Sequence, residues 1–223
     1  MARIPNSRKH TLTYYFSVEG STEKWYLEWL ETQINAIDEA KYKVKFKTEV
    51  QKDPVSYAKK LTIQDKITVW HLSDIEGSTP EHIQAVEGTL SRLKDVKTLK
   101  KSIVYKWGYS NLSFDLWMIL HKQSCNAELT DVGRYLSHIN RSFGEQFESM
   151  KEYKEEYNFK HCLGKLSLPE ALSAIERART IMQRNERDGY PLTQYKGYHY
   201  YMHNPSLDLW QPIEKILSDC GLL

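Results

Sequence analysis

Two short acidic stretches carry the chemistry this chain could perform. Glu19 follows the apolar run Tyr14-Tyr-Phe-Ser-Val18 and opens Glu19-Gly-Ser-Thr-Glu-Lys24, where a glycine and polar residues begin a helix. Asp74-Ile-Glu76 closes a second apolar run, Ile67-Thr-Val-Trp-His-Leu72. If the two runs are neighbouring parallel strands, Glu19, Asp74 and Glu76 share the crevice beyond the carboxyl ends of a sheet, where open α/β folds bind ligands. Clustered carboxylates repel one another unless a cation sits among them. Hard oxygen donors suit Mg²⁺ or Mn²⁺, which keep waters for substrate phosphates. That chemistry is phosphoryl transfer or phosphodiester cleavage. A lone acid after a strand is more often a helix cap or a solvated loop residue, a role open to Glu23 and Asp74, so the conjunction of acids is what favours a site.

The elements that must position these acids are legible as strand-then-helix units. Leu12 to Val18 reads as a strand apolar on both faces, and Thr22 to Ile37 as an amphipathic helix with Trp25, Tyr26, Trp29, Leu30 and Ile34 at helical spacing. Lys41 to Thr48 alternates lysines with Tyr42, Val44 and Phe46, the pattern of a half-exposed strand near a sheet edge. Asp53-Pro54 and Thr79-Pro80 each start a helix, and Ile67 to Leu72 and Ser102 to Trp107 supply two more strands. Four such units predict a mainly parallel four-stranded sheet, Rossmann-like, flanked by helices.

From Phe114 onward the sequence predicts helices without a further strand: Phe114 to His121, Asp131 to Ile139, Glu145 to Tyr157, Glu170 to Asn185 and Leu207 to Asp219, the last capped by Ser206. Residues 1–122 are expected to form a catalytic α/β domain and residues 123–223 a helical extension packed on it as one structural unit.

With 31 Lys+Arg against 29 Asp+Glu over 223 residues, the net charge of +2 advertises no bulk nucleic-acid binding, so such contact needs a local patch or a partner. Lys24 at the first helix, and Lys160, His161 and Lys165, are the candidates for phosphate contacts; solvated surface is the commoner role for each. Cys125, Cys162 and Cys220 are too far apart for a Cys-x-x-Cys pair, which predicts neither a disulfide framework nor zinc and suits a reducing cytoplasm. The basic start, Met1 to His10, lacks a following apolar region, and no run approaches a membrane span. His199 and His203 have helical spacing but precede Asn204-Pro205, so the tyrosine-rich stretch around them is expected to pack rather than bind zinc.

Val18-Glu-Gly-Ser-Thr-Glu-Lys24 followed by Asp74-Ile-Glu76 resembles the Toprim domain shared by topoisomerases, primases and a group of nucleases. Ser110-Asn-Leu-Ser-Phe-Asp-Leu-Trp-Met-Ile-Leu-His121 is similar to the Ser-Asn-Pro-x-Phe-Glu-x-Trp-Leu-Leu-Leu-His block of the RloB family, which includes the phage-resistance protein AbiLii. His203-Asn-Pro-Ser-Leu-Asp208 resembles that family's closing Asn-Pro-Ser-Thr pattern, so the likeness spans nearly the whole chain. It implies a Toprim fold, Glu19 as general acid or base, and Asp74 and Glu76 as Mg²⁺ or Mn²⁺ ligands, with Glu19 beside the metal. It further implies a nuclease of anti-phage defence and abortive infection, with a nucleic-acid substrate and an ATPase partner. The chain departs from the pattern at Asp74-Ile-Glu76, where Asp-x-Asp is usual, and at Leu112 and Asp115, where the family has proline and glutamate. Asp115 is thus a candidate extra ligand or an acid favoured by the helix dipole. Two alternatives stand beside hydrolysis: a non-catalytic Toprim-like module that binds an ATPase or nucleic acid, and nucleotidyl transfer. A homodimer is left open.

Overall fold

The computed structural model describes residues 9–223; the basic start of the chain, residues 1–8, lies outside them. The first half alternates strand and helix: β1 (Thr11–Val18), α1 (Ser21–Ala36), β2 (Lys43–Val50), α2 (Pro54–Lys60), β3 (Ile67–Asp74), α3 (Pro80–Asp95) and β4 (Ile103–Asn111). These four strands lie in the order β2-β1-β3-β4 and run parallel, as the strand-then-helix units predict. The two proline-led helices start as their sequences dictate. The Asp53 carboxylate accepts from Val55 N–H and Ser56 N–H at the head of α2, and Thr79 Oγ1 accepts from His82 N–H at the head of α3.

Alternation along the buried strands divides the core. Phe16, Val18, Trp70 and Leu72 share a large apolar cluster with Tyr26, Leu27, Leu30 and Trp117, whereas Trp107 and Tyr109 pack with Val86, Leu90 and Leu93 of α3. The sheet is therefore covered on both faces, which identifies the architecture as a Toprim/Rossmann-like α/β fold.

The second half contains α4 (Asp115–Lys122), α5 (Tyr135–Phe143), α6 (Met150–Tyr153), α7 (Glu156–Gly164), α8 (Leu168–Arg187) and α9 (Trp210–Asp219). Ser167 and Glu170 form a capping box at the start of α8. Three expectations are corrected here. The helix predicted over Glu145 to Tyr157 is two short helices, α6 and α7, because Ser149 caps a new start at Met150 and the chain breaks again at Glu155. The stretch read as strand-free holds a hairpin, β5 (Leu192–Tyr195) and β6 (Tyr198–Tyr201). Ser206 is not a helix cap: Ser206–Leu207 form β7, which pairs antiparallel with Ser110 and Asn111 and adds a fifth strand to the sheet. Ser206 Oγ–H donates to the Tyr201 carbonyl, so its hydroxyl is used within the fold. No helix of the described residues is long and apolar enough to cross a membrane.

Candidate active site

The strand order makes β1 and β3 neighbours, with Val18 opposite Leu72, and β3 and β4 neighbours, with Asp74 opposite Ser110. Glu19 N–H donates to the Leu72 carbonyl at 3.1 Å, which carries the β1–β3 ladder one residue past the strand. The Glu19 carboxylate then accepts from the Asp74 N–H at 3.1 Å and meets Lys52 Nζ at 2.9 Å. Glu19 and Asp74 thus sit side by side at the carboxyl edge of the sheet. Asp74 Oδ1 accepts from Ser110 Oγ–H at 2.8 Å.

Two further acids converge on this edge. Asp115, at the first turn of α4, is fully buried. Its carboxylate accepts from Ser113 Oγ–H at 2.7 Å and lies 2.8 Å from Lys154 Nζ, so it serves no helix cap; its other oxygen, Oδ1, is buried without a partner. Glu23, in the first turn of α1, is also buried and accepts from Thr22 Oγ–H at 2.8 Å.

The electrostatics are those of crowded like charges. Burial raises the Asp74 carboxyl well above the ordinary range, and the charges of Glu23, Glu19 and Asp115 raise it further against the opposing Ser110 hydrogen bond. Burial likewise raises Glu23, with smaller upward contributions from Glu19 and Asp115. Lysines answer part of this charge. The hydrogen bond to Glu19 raises Lys52. Burial lowers Lys154, but the charge and hydrogen bond of Asp115 outweigh it and leave its ammonium above the usual value. Such mutual repulsion, with an orphaned carboxylate oxygen, suits an added cation.

Glu76 differs from the others. Its backbone is left-handed, with φ of 62°, and its side chain is 60% exposed, 3.9 Å from His82 Nε2. Among the described residues, no three His, Cys, Asp or Glu side chains form, as they stand, a group that could hold a metal ion. One or two of these carboxylates, Asp115 with its unpartnered oxygen among them, would suit a hard cation.

The basic candidates stand apart. Lys24 lies 3.9 Å from Glu28 on the exposed side of α1. On α7 Lys160 meets Glu156 at 2.5 Å, and His161 on α7 and Lys165 just after it both pair with Glu145, so each carries a local counter-charge. Glu23, Lys52, Ser110 and Lys154 are the site residues the sequence reading did not single out. For Glu23 a signal existed: it lies four residues beyond Glu19, one helical turn into α1.

Acids gathered beyond the carboxyl ends of three adjacent parallel strands define a Toprim-like protein. A family model described as RloB-like protein matches residues 14–216, and the chain belongs to that family. Neither the curated proteins nor the solved structures contain a match.

Proposed function

We propose that this protein hydrolyses phosphodiester bonds of nucleic acid with the help of Mg²⁺ or Mn²⁺, acting in anti-phage defence with an ATPase as regulator. The observation that carries this reading is the convergence of Glu19, Glu23, Asp74 and Asp115 on one sheet edge, where burial and then the neighbouring charges raise the Asp74 carboxyl. Asp74 and Asp115 would hold the cation, Asp115 through its unpartnered Oδ1. When bound, the cation supplies charge for the phosphate oxygens and lowers the pKa of a water nucleophile.

The chain's own residues do the rest. Glu19, about a quarter exposed and oriented by Lys52 and the Asp74 N–H, would accept and return a proton. Ser110 and Ser113 orient Asp74 and Asp115 by donating to them. Lys154 reaches the site from α6's end, which supports residues 123–223 acting as one unit with the 1–122 domain. Its ammonium also offers charge to a phosphate.

The test is cleavage of DNA, mRNA and tRNA by purified protein with Mg²⁺ or Mn²⁺, with and without a candidate partner ATPase. Glu19→Gln and Asp74→Asn are each expected to lower the rate by about 10²-fold or more. Uncut substrates in every condition, with both variants behaving as wild type, would sink the nuclease reading.

A second reading, a Toprim-like binding module without catalysis, is favoured by the lysines that already occupy oxygens of Glu19 and Asp115. Metal titration followed by thermal melting separates the two. A working site gains stability with Mg²⁺ by mass action, and that gain disappears in Asp74→Asn.

A further inference from the structure

A second concave site lies away from the acids, between the C-terminal half of α8, the β5–β6 hairpin and the start of α9. It is an open hollow of about 620 Å³, within the range of roughly 300–1,000 Å³ common for small-molecule sites. Trp107, Tyr198, Tyr201 and Trp210 give it aromatic walls, and Glu186 and Asp208 contribute carboxylates. Trp107 and Tyr109 share one face of β4 while Ser110, which touches Asp74, points to the other, and none of Glu19, Glu23, Asp74 or Asp115 lines this cavity.

The charge in the cavity is unbalanced. Arg179 lines it, but its guanidinium is already paired with Glu214 and lies 5.1 Å from the centre of the Trp210 ring. Asp208 accepts from the Tyr109 N–H at 2.8 Å, and burial lifts its carboxyl to about 7, with no neighbouring cation acting against that rise among the described residues. Glu186 stands exposed at the rim. A phosphate or carboxylate ligand would meet two acids here. A planar or tetrahedral cation would instead neutralise Asp208 and lie against ring faces. The molecule already makes such contacts nearby, with Arg179 over Trp210 and Lys94 Nζ 5.0 Å from the centre of Tyr198.

We propose that this aromatic, carboxylate-lined cavity binds an organic cation of the guanidinium or ammonium class. The site is independent of the nuclease reading, and its test measures binding alone. n-Butylguanidinium and its neutral isostere n-butylurea are titrated against the full chain while tryptophan fluorescence and calorimetric heat are followed. Saturable binding of the guanidinium, about tenfold or more tighter than the urea, is expected. Asp208→Asn keeps an acceptor for the Tyr109 N–H but removes the charge, and should weaken the guanidinium about tenfold at an unchanged melting temperature. If that variant does not fold, Glu186→Gln and the comparison of the two probes on wild type decide the matter. Acetyl-arginine amide run beside agmatine reads whether the cation comes on a peptide or free, and binding of either supports the site. Equal affinity for guanidinium and urea, no saturable binding of any probe, or full affinity in both variants overturns the proposal.

Discussion

Two groups of ionisable side chains lie equally deep in this protein and differ in how they are satisfied. His71 and His121 are each 1% exposed, Glu23 is 3% exposed and Asp115 is fully buried. The histidines are neutral and partnered: His71 Nδ1 lies 2.8 Å from Ser17 Oγ, and His121 lies 3.2 Å from Tyr26 Oη and 2.9 Å from the Trp117 carbonyl. Burial lowers both imidazoles to about 4. Of the acids, by contrast, Glu23 is raised by burial and then by the charges of Glu19 and Asp115, and Asp115 Oδ1 has no partner. Burial alone therefore does not mark a site. Buried acids whose lysine partners answer only part of their charge do.

The sharpest way to break this contrast is Lys154→Met, which strands Asp115 in the interior. Removing one partner of a buried pair costs roughly 3–5 kcal/mol, and since Lys154 is about a third exposed the lower end is expected. Asp115→Asn combined with Lys154→Met should recover most of the loss in urea denaturation. A neutral single variant would mean that Asp115 carries no buried charge, and the two groups would cease to differ.

The histidines give the next largest effect. Each has a folded pKa of about 4 against an ordinary value of 6.5, a depressed value for a group buried neutral. Their stability contribution is complete above about pH 6.5 and is lost as pH falls toward 4, by about 3 kcal/mol each. Asp74 and Glu23 run the other way: with raised folded values, their contribution is complete below the ordinary carboxylate range and is lost as pH rises through the raised values. Urea midpoints across pH should thus fall on the acid side in wild type and flatten there in His71→Gln. They should also recover on the neutral side in Glu23→Gln. Unchanged profiles in both variants would refute the assignment.

How much of this could be read from the chain depended on range. The apolar runs ending in Glu19 and Asp74 announce themselves locally, because a strand buried on both faces must be followed by a turn where polar groups meet solvent. Glu23 is harder to single out, since an acid in the first turn of any helix is favoured by the dipole. Lys154 sits in Lys151-Glu-Tyr-Lys-Glu-Glu156, where nothing local separates it from its neighbours; only packing brings it to Asp115. The hairpin left a fainter mark. Lys196 and Gly197 both have positive φ, 49° and 84°, in a two-residue turn that glycine favours, yet tyrosines on both sides read equally well as packing. β7, two residues long, exists through its pairing with β4 and has no sequence period of its own.

The junction that β7 makes beside the acids can be probed at Gly108. A Cβ there would lie 2.8 Å from Leu72 Cδ2 and 3.1 Å from the Leu209 backbone. Gly108→Ala should destabilise by about 1–3 kcal/mol, the usual cost of overpacking. A smaller loss would show that the segment after β7 is free to move off β4.

Glu76 tests the contrast at its weakest point. It lies two residues beyond Asp74, but its side chain is 60% exposed and its nearest opposite charge is His82 Nε2 at 3.9 Å. An exposed carboxylate is already solvated, so Glu76→Gln should change stability by no more than about 0.5 kcal/mol. That near-silence separates a structural from a chemical role. If Glu76 joins the cation only when substrate phosphates are present, cleavage and the Mg²⁺-induced rise in melting temperature will respond differently. The rate should fall while the substrate-free melting gain stays intact, because Asp74 and Asp115 would hold the ion alone. Should Glu76→Gln instead abolish the melting gain, the exposed acid belongs with the buried ones, and depth would no longer distinguish the residues that hold the cation.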